Sequence, residues 1–162
     1  MRADVERLGL EDAVVLAGHR GDVAACHAAA DVFVLPSYWE GCSLAVWEAI
    51  VAGLPLVLAD VGAAAEQIRY GRGELVAPPF ASLFALDASN LAQTVERIDL
   101  DHVQRLAQAM ARVAALPRGV RVALPPVAQR ATMARRKAKL FAWLLQGGRV
   151  GAARAMLARD VT

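Results

Sequence analysis

The chain has 162 residues, 57% of them hydrophobic and 21% charged, a length and balance that suit one ordinary globular domain with a buried core and exclude a disordered chain. Its two cysteines, Cys26 and Cys42, are too few for a disulfide framework and lie in no CxxC or Cys/His spacing that would bind zinc. A reducing compartment follows, and no metal is expected. Met1-Arg2-Ala3-Asp4 lacks the apolar stretch of a signal peptide, and no run of about 18 apolar residues offers a membrane span, so the expected location is cytoplasmic.

The net charge of +2 conceals an asymmetry. Residues 1–117 carry eight arginines against 15 acidic residues, a net of −7, whereas residues 118–162 carry ten cations and one acid, a net of +9. A basic tail of this kind meets nucleic acid, anionic lipid or the acidic body of its own chain, and the last is the simplest. Two units are therefore expected, a domain over 1–117 and a basic helical tail over 118–162.

In chain order, residues 2–9 read as the end of a helix, with Val5 and Leu8 on one apolar face and Gly9 at the stop. Val14-Val15-Leu16-Ala17, ending at Gly18, predicts a strand buried on both faces of a parallel sheet. Asp22 is expected to cap a helix whose apolar positions are Val23, Cys26, His27 and Ala30. Val32 to Leu35 predicts a second buried strand ended by Pro36. Ser43 to Val51 predicts a helix closed by Gly53 and Pro55, and Leu56 to Ala59 a third strand. A short helix over 64–68, a turn at Gly71-Arg72-Gly73, a small strand at Leu75-Val76 and helices over 88–98 and 101–116 follow. Pro125-Pro126 opens a long helix over 127–145, stopped by Gly147-Gly148. Short apolar strands alternating with helices imply βαβ units, so the predicted fold is α/β, a Rossmann-like, doubly wound parallel sheet with a helical tail.

Ligands of an open parallel sheet bind beyond the carboxyl ends of its strands. That points to the loops Gly18-His19-Arg20, Pro36 to Gly41 and Asp60-Val61-Gly62. The middle loop joins a buried strand to a helix N-terminus, where free N–H groups and the helix dipole favour an anion and Gly41 allows close approach. A phosphate is the expected guest. Glu40 and Glu48 flank this segment, and carboxylates there suit the vicinal hydroxyls of a sugar or ribose. At the helical rise, their eight-residue spacing separates them by roughly 10 to 12 Å, the span from a sugar across a diphosphate to a ribose.

The segment VFVLPSYWEGCSLAVWEAIVAGLPLVLADVG resembles the donor-binding core of retaining glycosyltransferases of the GT-B fold, family 4, and the resemblance covers about residues 8 to 78. It runs on upstream through Ala17 to Val23 and downstream through Gly62 to Ile68. It implies the C-terminal half of a GT-B fold, with a nucleoside-diphosphate sugar as donor substrate and no cofactor. It further implies that Glu40, the catalytic carboxylate, bonds donor sugar hydroxyls. The backbone of Gly41, Cys42, Ser43 and Leu44 then holds the diphosphate or sugar, and Glu48 bonds the ribose. The family's first domain, and the βα unit that supplies an Arg and a Lys to the diphosphate, have no counterpart here. The expectation is accordingly a fragment, a truncated product or one subunit of a split enzyme, partnered by an N-terminal acceptor domain and binding donor weakly alone.

His19, at a ligand-side loop, is a lesser donor-binding candidate, and His27 is expected to be partly buried. Cys42 is read as a backbone donor and not a nucleophile, since no base stands near it in sequence. Trp39 and Trp47 are expected to pack beside the site. The basic run from Arg135 to Leu145, within 130–145, suits either an interfacial helix at the inner membrane face or a helix packing across the interdomain cleft. Nucleic-acid binding finds no motif, and no GxGxxG follows a strand to suggest a dehydrogenase. The rival function is a nucleotide-sugar binding or regulatory subunit without catalysis of its own.

Overall fold

The computed structural model describes residues 1–80 and 99–119 with a few isolated positions between 123 and 142. Its centre is a sheet of three parallel strands in the order β1 (Phe33–Leu35), β2 (Pro55–Ala59), β3 (Arg72–Val76). Phe33 pairs with Leu56 and Pro55 with Arg72, so β2 is hydrogen-bonded along both edges. Every residue of β2 is buried, as a continuous apolar run requires when both faces of a sheet are covered.

Side chains alternate across β2. Leu56 and Leu58 face one layer with Val46, Ala49 and Ile50 of α3 (Leu44–Val51) and Ala64 of α4 (Ala64–Gln67). Val57 faces the other with Val76 and with Ala109 and Val113 of α5 (Leu100–Ala114). Helices on both faces of a parallel sheet make the fold a Rossmann-like α/β architecture, as expected. Helix α5 starts where Asp99 accepts from the His102 N–H at 3.0 Å, a side-chain cap. Its Arg112 grips Glu74 of β3 through Nε and Nη2 at 2.9 and 2.7 Å.

Helices α1 (Arg2–Arg7) and α3 end in the same way. Gly9 (φ 62°) and Gly53 (φ 76°) take the left-handed conformation that follows the last turn. The N–H groups of Gly9 and Leu10 reach the Glu6 and Val5 carbonyls, and those of Gly53 and Leu54 reach Ile50 and Ala49. These are Schellman motifs. After the second, buried Leu54 leads directly into β2.

Four expectations need correction. Val14 to Ala17 form no strand; they are exposed, Val15 by 86%, and the preceding Ala13 and Val14 N–H groups fold back on the Leu10 carbonyl. An apolar run becomes a strand only when a ladder partner and two covering layers exist, and among the described residues this one has neither. For the same reason β1, paired along one edge, is half-buried and not fully buried. Asp22 sits at the start of α2 (Val23–Ala29), but its carboxylate is taken by Arg20 at 2.8 Å instead of capping, and α2 buries no residue. Finally, Arg72 and Gly73 belong to β3 and not to a turn, because Gly73 (φ 150°) presses on the β2 backbone, where an added Cβ would lie 1.8 Å from the Leu56 oxygen.

The short helix over 64–68 is α4, which runs on into a 3-10 turn over Ile68–Tyr70. The helix over 88–98 lies outside the described residues. So does most of the helix over 127–145, though Ala131, Thr132, Ala134 and Arg135 within it are helical. Among the described residues no helix is long and apolar enough to cross a membrane.

Candidate functional site at the start of helix α3

Two loops leave the carboxyl ends of neighbouring strands, residues 36–43 after β1 and 60–63 after β2. Their backbones touch. Gly62 (φ 57°) lies so close to the first loop that a Cβ there would stand 2.1 Å from the Glu40 carbonyl oxygen and 2.6 Å from that of Gly41. The Ala63 N–H then donates to the Gly41 carbonyl at 2.8 Å. Only glycine combines that φ with that approach.

The first loop delivers the chain to α3 with Ser43 as N-cap residue, in extended conformation (ψ 124°), yet the Ser43 side chain makes no capping bond and the first turn holds no acidic residue. The opening N–H groups of a helix have no intrahelical partner. Among the described residues, those of α3 thus have neither a side-chain cap nor an acidic residue in the first turn, at the positive end of the helix dipole. Gly41 is exposed, and a Cβ added to it meets nothing within 4 Å. Folding therefore does not demand glycine at that position.

Glu40 is half-buried, and the Ser37 hydroxyl donates to its Oε1 at 3.1 Å. Glu48 lies one turn beyond exposed Leu44 on the exposed face of α3, opposite Val46, Trp47, Ala49 and Ile50. Cys42 is an exposed free thiol. Gly41, Cys42, Leu44 and Glu48 are thus exposed, and Glu40 and Ser43 half-buried, along the loop and first turns of α3. His19 is not joined to them: it is exposed in the loop before α2 and makes no hydrogen bond or ring contact among the described residues. Its neighbour Arg20 is engaged by Asp22, whose carboxyl that guanidinium holds below the ordinary aspartate value.

The aromatic residues divide. Trp47 is buried and its ring meets Tyr70 at 5.5 Å, so it is core. Trp39 is 74% exposed and does not pack beside the site as expected, because the 36–43 loop turns it outward from both layers. His27 is partly buried, edge-on to Phe33 at 5.8 Å. Sequence reading missed two residues, Ser37 and Gln67. Gln67, 2% exposed, donates from Nε2 to the Ser43 carbonyl at 2.8 Å. Nothing in the stretch Ala64 to Tyr70 marks it, since its partner is 24 residues away.

A cavity of about 390 Å³ lies elsewhere, at the amino ends of the strands, where Ile50, Leu54, Tyr70, Arg72, Arg118 and Gly119 contribute to its lining. It is separated from the α3 N-terminus by the length of the sheet. Arg118 there donates to the Ala28 and His27 carbonyls at 2.8 and 3.1 Å, a cation at the C-terminal end of α2. Among the described residues no group of three or more His, Cys, Asp or Glu could hold a metal ion.

A parallel sheet with an uncapped helix start at its carboxyl edge is the construction of an α/β ligand-binding protein. The chain belongs to the group 1 glycosyl transferases, whose family model matches residues 1–115. It is 35% identical over 74 residues to the lipopolysaccharide core biosynthesis mannosyltransferase LpsB of Rhizobium meliloti (strain 1021), covering 46% of this chain and 21% of that protein. It is 38% identical over 82 residues to mannosylfructose-phosphate synthase of Agrobacterium fabrum, covering 49% and 18%. Identity is 43% over 54 residues to a UDP-Gal:alpha-D-GlcNAc-diphosphoundecaprenol alpha-1,3-galactosyltransferase of Escherichia coli, covering 33% and 14%. The matched stretch spans about a fifth or less of each relative. No solved structure matches the chain.

Proposed function

We propose that this chain forms the nucleotide-sugar donor site of a retaining group 1 glycosyltransferase, as the C-terminal half of a GT-B fold. The observation that carries the reading is the start of α3: uncapped amides and open space at Gly41, bracketed by Glu40 and Glu48. In it, the donor diphosphate lies on the amides of Gly41 to Leu44, Glu40 accepts hydrogen bonds from sugar hydroxyls, and Glu48 accepts those of the ribose. When the sugar leaves, the bond from its anomeric carbon to the diphosphate oxygen breaks and charge grows on the phosphate. Amides aimed there stabilise that charge more in the transition state than in the ground state.

The relatives are named for mannosyl and galactosyl transfer, which supports a hexose donor. Acceptor binding is assigned to a further domain or partner subunit. A second reading, a subunit that binds the nucleotide sugar without transferring the sugar itself, is favoured by the engagement of Arg20 with Asp22. Calorimetry with UDP and GDP sugars tests the shared claim, and saturable binding weakened in Glu48→Gln is the expected result. Absence of binding at millimolar ligand would overturn both readings. Turnover only after an acceptor domain is added would favour the first reading, and none even then the second.

A further inference from the structure

The 40–44 segment is held from behind by one short helix. The Ala63 N–H, just before α4, donates to the Gly41 carbonyl at 2.8 Å, and the Gln67 amide, its last residue, donates to the Ser43 carbonyl at 2.8 Å. The two donors belong to one block, because the Gln67 N–H itself bonds the Ala63 carbonyl at 2.9 Å. Gln67 is 2% exposed, and its position is fixed by the packing around it.

Peptide geometry turns this into a direction. No cis peptide bond occurs among the described residues, and in a trans peptide the C=O and N–H point to opposite sides. The Gly41 carbonyl shares its peptide with the Cys42 N–H, and the Ser43 carbonyl with the Leu44 N–H. Drawing both carbonyls towards α4 therefore aims the Cys42 and Leu44 N–H groups away from it.

We infer that Gln67 is a positioning residue for the donor site: through the Ser43 carbonyl it aims the Leu44 amide, as Ala63 aims that of Cys42, at the donor phosphate. The inference rests on the donor-site reading above and adds to it the element that preorganises the site. A preformed donor at a phosphate strengthens binding because no reorientation is needed on arrival.

The test compares the wild-type chain with Gln67→Met, which keeps length and loses the donor, and with Val113→Ala, a core change on the far face of the sheet. Binding of UDP and GDP is measured by titration, and the backbone amide signals of Cys42 and Leu44 are followed without ligand. The expected result is about five- to tenfold weaker binding in Gln67→Met, the weight of one buried hydrogen bond, with shifted Cys42 and Leu44 signals and an unshifted Val57. Val113→Ala should leave affinity within twofold.

Wild type that binds neither nucleotide overturns the donor-site reading, while the amide signals still judge whether Gln67 aims the Leu44 N–H. Unchanged affinity and unchanged amide signals in Gln67→Met overturn the positioning role. So does equal weakening in Val113→Ala, which would make the effect general destabilisation. Should Gln67→Met not fold, Gln67→Asn, one methylene too short to reach Ser43, takes its place with the same expected and contrary outcomes.

Discussion

Gly41 and Gly62 lie in touching loops and serve different ends. Gly62→Ala places a methyl on the Glu40 and Gly41 carbonyls at a positive φ, so it should lower stability by more than about 1 kcal/mol and displace the loop. Gly41→Ala meets nothing. It should leave the melting temperature unchanged yet weaken nucleotide binding, a pairing that chemical denaturation and titration can check together. Equal stability loss in the two would contradict this division of labour. At the same scale, Glu40 and Glu48 were singled out in the sequence because they flank a single loop and helix and because the Ala-Gly-Leu-Pro turn follows in order. Ser37 and Gln67 were not, since a serine in a loop and a glutamine in a helix acquire meaning only from what they touch. Trp39 failed for a related reason: aromatic character does not say which way a loop residue turns.

Among the elements, β2 carries the core, and Leu56, fully buried between α3 and β3, is its most demanding position. Leu56→Ala should cost about 2–5 kcal/mol, read as a lower denaturation midpoint; a cost under half that would mean the layer collapses to fill the gap. The Glu74–Arg112 pair ties α5 to β3 and holds the Glu74 carboxyl below the ordinary glutamate value. A carboxyl whose folded value is depressed stabilises above its unfolded value and loses that contribution as pH falls through the folded one. Stability of wild type should thus decline in that acid window slightly more than stability of Glu74→Gln, the difference being small because Arg112 is exposed and Glu74 only half-buried. Identical acid profiles would show the pair to be inert.

Strand β2 was legible because burial on both faces writes itself as a continuous apolar run, whereas β3 opens on Arg72 and Gly73, which read as a turn. The run at Val14 to Ala17 has the same composition and no strand. Composition records what a segment can bury, and pairing decides whether it does.

For the molecule as a whole, the charge division is the feature the site does not absorb. Residues 1–117 are acidic and the remainder basic, and the basic run over 130–145 is proposed to reach either the inner membrane face or the cleft of the assembled enzyme. Flotation with anionic vesicles at low salt should carry the chain upward if the first holds, and added salt should release it. Failure to float at low salt would leave the cleft.

The central claim is that a nucleoside-diphosphate sugar sits at the start of α3. Backbone amide spectra recorded during titration with UDP and GDP sugars test it most directly. The account predicts saturable shifts centred on Gly41, Cys42, Ser43, Leu44 and Glu48, reduced in Glu48→Gln. Shifts centred instead on Arg72 and Arg118 at the opposite end of the sheet, or no shifts at millimolar ligand, would contradict it.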